Sequence, residues 1–298
     1  MSAASVPSRR GVGDVAVVTV SYDSASVLGS FLDSIEAAAE SPVDVVVVDN
    51  ASPEVASVRG VVDRPRVRFL PLAENRGYGA GMNLGVASLS PAVRWVVLAN
   101  PDVVFAPGAI DRLVEAAVGR PEVGAVGPRV LTPDGADYPS ARRLPSLRIG
   151  VGHALLGRAF PRNPWTRLYR ADELPPDQER AAGWLSGSCL LVVRDVFDAL
   201  GGFDESYFMY FEDVDLGARV GAAGYVNLYW PSAEVVHSGA HSTTSRRAAM
   251  EKAHHASAYR YIAQKYNQWY LWPLRAVLRA GIGVRGAVAR YGRTRRVP

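Results

Sequence analysis

Val15-Ala-Val-Val-Thr-Val20, followed at once by Ser21-Tyr22-Asp23, is an unbroken run of small and β-branched side chains that ends in polar residues. A strand without polar alternation is buried on both faces, as in a sheet covered by helices on either side. Just downstream, Leu28, Phe31, Leu32 and Ile35 fall at i, i+3, i+4 and i+7, which predicts a helix with Ser24 or Ser26 as its cap. Val45–Val48 repeats the buried-strand pattern, and Val67–Leu70 and Trp95–Ala99 are the third and fourth runs, with a Gly-rich helical stretch over Tyr78–Leu89 between them. Strands alternating with helices predict an α/β fold with a mainly parallel central sheet flanked by helices. Functional groups are then expected just beyond the carboxyl ends of the strands. The second half is less regular. It offers a strand at Ser188–Val193, a turn at Gly201-Gly202, an acidic helix start at Glu212 and two closing helices near Ala248–Tyr266 and Trp269–Arg290.

The 298 residues are 48% apolar and 21% charged, the balance of a globular chain. The single cysteine, Cys189, excludes an internal disulfide and a Cys-based zinc site and fits a reducing compartment. No uncharged stretch reaches the ~20 residues of a membrane-spanning helix. Met1–Gly13 is small, polar and basic without the apolar centre of a secretory signal, and is expected to be a flexible start.

The net charge of +4 conceals an asymmetry: Ala240–Pro298 holds twelve Arg and Lys against Glu251 alone, leaving the rest of the chain at −7. Such a tail suits an anionic partner. The segment 141–170 holds seven arginines and no acid, interleaved with Leu, Ile, Phe and Trp, and reads as an insertion that meets something both apolar and anionic. The expected organisation is a catalytic domain over 14–245, including that insertion, and a basic helical extension over 246–298.

Polar residues gather at the strand ends: Ser21-Tyr22-Asp23, Asp49-Asn50-Ala51-Ser52 and Asn100-Pro101-Asp102. Three carboxylates on one rim suggest a metal–nucleotide site, because a hard cation bridging phosphates needs only one or two protein carboxylates. Taken alone, Asn-Pro-Asp equally makes a turn. Gly77, Gly79 and Gly81 do not follow a strand and lack the G-x-G-x-x-G spacing, which argues against a nicotinamide or flavin enzyme. They admit either a ligand at a helix start or close helix packing. Glu212, Asp213 and Asp215 crowd a helix start amid aromatics, where repulsion and desolvation can raise a carboxyl into the range of a general base. An acidic helix terminus paired with Arg219 is the plainer reading. His237 follows another apolar run and can ligate a metal, with His241 as competitor.

Together these motifs resemble a family 2 glycosyltransferase of the GT-A nucleotide-sugar fold, from about Val15 to Ser242. The resemblance rests on Thr19–Asp23, Val48–Ser52, Asn75-x-Gly-Tyr-Gly with Asn83, Asn100-Pro-Asp102, Gly187-Ser-Cys-Leu-Leu-Val, Gly202-Phe-Asp-Glu and Glu212-Asp-Val-Asp-Leu-x-x-Arg219. Within the family, Tyr138–Arg142, Pro161–Trp165 and Gly183–Ser188 are similar to actinobacterial rhamnosyltransferases of the arabinogalactan linkage unit.

The resemblance implies inverting transfer of L-rhamnose from dTDP-L-rhamnose to a GlcNAc-diphospho-polyprenol, at the cytoplasmic face of the plasma membrane. It implies a nucleotide-sugar site drawn from Val20, Tyr22, Asp49, Asn50, Arg76, Gly77, Asn83 and Asn100. Asp102 and His237 would hold Mg²⁺ or Mn²⁺, Asp213 would be the base, and Glu212 would help position the acceptor. Asn100 stands where the family usually has the first Asp of Asp-x-Asp. Tyr207, Phe208, Tyr210 and Trp184 are expected to line the acceptor side. If 271–290 is helical, Arg275, Arg279, Arg285 and Arg290 oppose Val277, Val284 and Val288, a basic amphipathic helix suited to an anionic leaflet or, alternatively, to a partner subunit in a homo-oligomer.

Other classes fit less well. A nucleotidyltransferase needs a Gly-rich basic triphosphate loop, and here Ser-Tyr-Asp follows Val20. A nucleic-acid or other anionic-surface binder would explain the tail but not the carboxylates, so no nucleic-acid partner is expected. The same fold with another sugar nucleotide or a polysaccharide acceptor remains the main alternative.

Overall fold

In a computed structural model that describes residues 14–146, 160, 175–239, 247–273, 275–277 and 279, the opening run is the strand β1 (Val15–Ser21), every residue of it buried. Its side chains alternate between two cores. Val15 and Val17 meet the helix α1 (Ala25–Ala38) through Leu28, Phe31, Leu32 and Ile35, while Ala16, Val18 and Val20 meet Met82 and Val86 of α3 (Tyr78–Ala87) on the other face. The expected cap on α1 is not made: Ser24 is the N-cap residue, but its hydroxyl donates to the Tyr22 carbonyl instead.

The chain continues through β2 (Asp44–Asp49), α2 (Val55–Val62), β3 (Val67–Pro71), β4 (Trp95–Ala99), β5 (Val103–Phe105), α4 (Ala109–Ala117) and β6 (Val123–Leu131). After the short strands β7 (Asp137–Tyr138), β8 (Ala141–Arg142), β9 (Arg180–Ala182) and β10 (Trp184–Leu185) come β11 (Cys189–Val193), α5 (Arg194–Ala199), α6 (Glu212–Ala222), β12 (Val226–His237) and α7 (Arg247–Lys265).

The main sheet runs β3-β2-β1-β4-β11-β6-β12-β5. Its first four strands are all parallel, with Val17 opposite Val45 on one side and Val97 on the other. The second half is mixed: β11 lies antiparallel between β4 and β6, β12 returns parallel to β6, and β5 closes the edge antiparallel. Because the chain leaves β1 toward β2 and β3 and then comes back to place β4 on β1's other side, the sheet order reverses between β1 and β4. A crevice opens at such a switch point, beyond the carboxyl ends.

The glycines of α3 settle how close it lies to the sheet. A Cβ on Gly81 would stand 2.8 Å from a Val20 methyl, and one on Gly85 2.4 Å from a Val18 methyl, while Gly79 lies against Phe203. Close packing is therefore what these two helical positions and Gly79 require. Gly77 differs, with φ at +87° and its missing Cβ 2.3 Å from the Phe208 carbonyl oxygen. There the backbone of the 203–211 loop crosses, and its Phe208 carbonyl accepts the Tyr78 N–H.

The closing helix belongs to this body. Tyr261 of α7 is buried with Tyr207 and Val214, and the Ser257 hydroxyl donates to the Met209 carbonyl. Beyond it, Trp269–Leu271 form a 3-10 turn, and 272, 273, 275–277 and 279 are helical. Arg275 is folded back, donating to the carbonyls of Tyr266 and Gln268 rather than standing on an outer face. Arg285 and Arg290, His241 and most of 141–170 lie outside the described residues.

Candidate active site

The three strand-end loops meet as expected, but their carboxylates do not share one exposure. Asp49 is enclosed, its oxygens taken by the Ser52 N–H at 2.9 Å and the Ser52 hydroxyl at 2.5 Å. The Ser52 oxygen in turn accepts the Asp23 N–H, tying the ends of β1 and β2 together, while Asp23 itself is exposed. Asn50, also buried, donates to Asn75 and to the Gly77 carbonyl and accepts the Arg76 N–H, so it shapes the loop leading into α3. Val20 is buried against Gly81, and Tyr22 is half-buried at the crevice lip. Arg76 reaches outward to Glu205 at 3.3 Å.

The Asn83 carboxamide is taken up by the 203–205 loop. It accepts the Phe203 N–H and donates to the Phe203 carbonyl, each at 2.9 Å, and a Cβ on Gly202 would stand 2.4 Å from its oxygen. It clamps the loop that precedes α6.

Asp102 and His237 do come together, although 135 positions separate them in the chain. His237 Nε2 is 3.1 Å from Asp102 Oδ1 and 3.2 Å from Asn100 Nδ2. The other Asp102 oxygen accepts the Gly239 N–H at 2.8 Å and the Ser238 hydroxyl at 3.2 Å. Burial pushes the Asp102 carboxyl up, but the hydrogen bond and charge of His237, with Gly239 and Ser238, outweigh it and hold the group below its usual range. Among the described residues no group of three or more His, Cys, Asp or Glu is arranged to hold a metal ion by itself. One carboxylate, one imidazole and one carboxamide make an open donor set, which fits a divalent cation whose shell is completed by substrate phosphates and water.

The second wall is the start of α6. Glu212 is 6% exposed and its Oε2 has no hydrogen-bond partner among the described residues. Burial first, then the neighbouring Asp213 charge, raises its carboxyl from 4.5 to about 8. Asp213 is also raised, by burial, yet two backbone N–H groups oppose that: Gly187 donates to Oδ2 at 2.9 Å and Val214 to Oδ1 at 2.8 Å. Arg142 lowers it further through its charge. The pair is presented by two successive residues with positive φ, Tyr210 at 67° and Phe211 at 68°, a strained conformation for aromatic residues that tends to occur at functional sites. Arg219 pairs with Asp215 at 2.7 Å, so the intrahelical salt bridge leaves Glu212 and Asp213 free of it.

Residues 187 and 188 join the two walls. The Gly187 N–H holds Asp213, the Ser188 carbonyl accepts the Asn100 N–H at 2.8 Å, and the Tyr78 hydroxyl donates to the Gly187 carbonyl at 2.6 Å. Tyr78, Arg142 and the Ser238-Gly239 contacts escape a reading of the sequence for function. Tyr78 was visible inside Gly-Tyr-Gly, but nothing local tells that its hydroxyl reaches residue 187. Of the four expected acceptor-side aromatics, Phe208 is exposed and Tyr210 and Trp184 are half-buried. Tyr207 is a correction: it is fully buried and its hydroxyl donates to Gln264, so it cannot stack on a sugar.

A switch-point crevice with an open cation set on one wall and a raised carboxyl pair on the other defines a nucleotide-sugar glycosyltransferase of the GT-A fold. The chain belongs to the family described as glycosyltransferase like family 2, which it matches over residues 13–259. It is 48% identical over 278 residues, 90% of each chain, to the N-acetylglucosaminyl-diphospho-decaprenol L-rhamnosyltransferase of Mycobacterium tuberculosis. It is 28% identical to rhamnosyltransferase WbbL of Escherichia coli K12, over 63% of this chain and 71% of that one. In fold it is similar to the mannosyltransferase PcManGT of Pyrobaculum calidifontis, solved with GDP-Man and Mn²⁺, at a TM-score of 0.57 and 18% identity, covering 90% of this chain and 69% of that one.

Proposed function

We propose that the protein transfers L-rhamnose from dTDP-L-rhamnose to a GlcNAc-diphospho-polyprenol, with inversion, in cell-wall linker assembly. The 48% identity to the mycobacterial enzyme across 90% of both chains supports the choice of donor and acceptor. The observation that carries the chemistry is the Gly187-Ser188 bridge, which holds Asp213 and the Asn100–Asp102 turn in one constellation.

In this reading the nucleoside lies along the loops after β1 and β2, between Tyr22, Asn50 and the 75–77 turn, with Asp49 and Ser52 setting the shape of that wall. Asp102 and His237, with Asn100 beside them, would hold a divalent cation, Mg²⁺ or Mn²⁺, which would supply positive charge opposite the departing diphosphate. The acceptor hydroxyl approaches from the α6 side. Asp213 and Glu212 repel each other, so near neutral pH the pair favours a single negative charge. Two N–H donors stabilise that charge on Asp213, whereas the orphan oxygen of Glu212 favours a proton there. Asp213 therefore takes the proton from the acceptor hydroxyl, and Glu212, kept neutral, can donate a hydrogen bond to the acceptor sugar.

A lipid acceptor places the work at the inner face of the plasma membrane, and no helix among the described residues is long and apolar enough to cross one. The test is Asp213→Asn, which should reduce transfer by about a thousandfold while the variant still binds dTDP-L-rhamnose in a calorimeter. Transfer within a few fold of wild type would remove the base assignment. Binding of another sugar nucleotide in preference would overturn the donor.

A further inference from the structure

Three large aromatic side chains stand exposed within four residues, a cluster that the other exposed aromatics among the described residues, such as Phe160 and Phe208, do not form. Trp269 is 82% exposed, Tyr270 60% and Trp272 63%, and Val277 adds a further 68%. Trp269 and Tyr270 lie edge to face, with centroids 6.0 Å apart. The turn that carries them is firmly held. Arg275 donates to the carbonyls of Tyr266 and Gln268, Lys265 Nζ donates to the Pro145 carbonyl, and Gln264, just upstream, accepts the buried Tyr207 hydroxyl. The aromatics thus project from a base bonded to the Pro145 carbonyl and to Tyr207.

Their surroundings state what they meet. Between Ala240 and Pro298 the chain carries twelve basic residues and one acid, and Lys265 and Arg279 flank the turn, Arg275 being turned back onto the carbonyls of Tyr266 and Gln268. Exposed Trp and Tyr beside Arg and Lys suit the headgroup layer of an anionic bilayer, where rings enter the acyl boundary and cations meet lipid phosphates. The same concentration of positive charge opposes apposition of a second copy through this patch. From the foot of the turn a groove of about 690 Å³ runs between α7 and the 206–208 loop, lined by Phe208, Tyr259, Arg260, Ala263, Gln264 and Asn267. Its Phe208 wall lies four residues before Glu212 and holds the N-terminus of α3 through the Tyr78 N–H.

We propose that Trp269, Tyr270 and Trp272 form an interfacial anchor that seats the protein on an anionic bilayer. The anchor deepens the lipid-acceptor reading, since a membrane-seated protein meets a lipid-linked acceptor at its own surface, but the seating itself does not rest on that reading.

The full chain is floated with vesicles of phosphatidylcholine alone and of phosphatidylcholine with phosphatidylglycerol in equal parts, beside Trp269→Ser/Trp272→Ser and the conservative Trp269→Tyr/Trp272→Tyr. Turnover with a water-soluble short-chain acceptor and the mass in solution are measured on all three. Wild type should float with the anionic vesicles, the serine pair should bind at least about tenfold more weakly from the apolar area withdrawn, and the tyrosine pair should keep most of the binding. Turnover with the soluble acceptor should be the same in all three, which separates loss of the anchor from failure of the assigned reaction. Flotation of the serine pair equal to wild type overturns the proposal. So does a wild type that floats with neither vesicle, including one whose dimer falls to monomer in the serine pair, since the patch would then belong to a second copy.

Discussion

Replacing Glu212 with Gln should stabilise the protein at neutral and alkaline pH and have little effect in mild acid. The side chain is 6% exposed, one oxygen lacks a partner among the described residues, and its pKa rises from 4.5 to about 8. The folded chain therefore binds this proton more tightly than the unfolded chain does. The resulting stability is fully present below 4.5, and it is lost as pH climbs through the window up to about 8. At pH 7 the loss is about 3 kcal/mol, at ~1.4 kcal/mol per unit of pKa difference. Gln removes that loss but brings an amide donor into the same buried place, which costs about 1 kcal/mol, and Asp213 shares part of the coupling. The net gain expected is about 1–2 kcal/mol near pH 8 and about zero near pH 5. Urea melts of both proteins at the two pH values read this directly as a midpoint difference that opens with pH. A midpoint difference that stays constant between them, or a variant less stable near pH 8, would show that Glu212 is not held protonated by its surroundings.

Gly85→Ala puts a methyl 2.4 Å from Val18 and 3.1 Å from Val48, and the overpacking should cost about 1–3 kcal/mol, partly restored by Val18→Ala in the same chain. Gly60→Ala, with nothing within 4 Å, should instead raise stability by up to about 1 kcal/mol; equal melting of the two variants would mean that α3 does not approach the sheet so closely. Tyr78→Phe removes the hydroxyl from the Gly187 carbonyl and should lower kcat about tenfold with the donor KM unchanged; a change confined to KM would place Tyr78 on the donor instead. Asp102→Asn should raise the divalent-cation concentration for half-maximal turnover about tenfold or more, and an unchanged titration would remove Asp102 from the cation site.

The parallel half of the sheet was legible because burial on both faces leaves an unmistakable trace: Val15–Val20, Val45–Val48 and Trp95–Ala99 lack polar alternation. The mixed half was not, since Cys189–Val193 reads as a buried strand whichever way it runs, and its antiparallel place between β4 and β6 is set by tertiary packing. At the site, residues adjacent in sequence were found through local chemistry, as with Glu212-Asp213. The Asp102–His237 contact rested on resemblance, because no local pattern joins residues that meet only after the sheet forms. Tyr207 misleads for a related reason. A polar or aromatic residue beside a site motif can serve the loop that presents the motif, and only burial and hydrogen bonds distinguish the two. The positive φ at Tyr210 and Phe211 leaves no signal in residue type at all.

The most direct test of the proposed reaction is dTDP release from dTDP-L-rhamnose by the purified protein with a divalent cation, with and without a short-chain GlcNAc-diphospho-prenol. The expected result is release that depends on the acceptor, together with a rhamnosyl-GlcNAc lipid of inverted anomeric configuration. No release with this pair, alongside turnover of another sugar nucleotide or another acceptor, would contradict the assigned specificity.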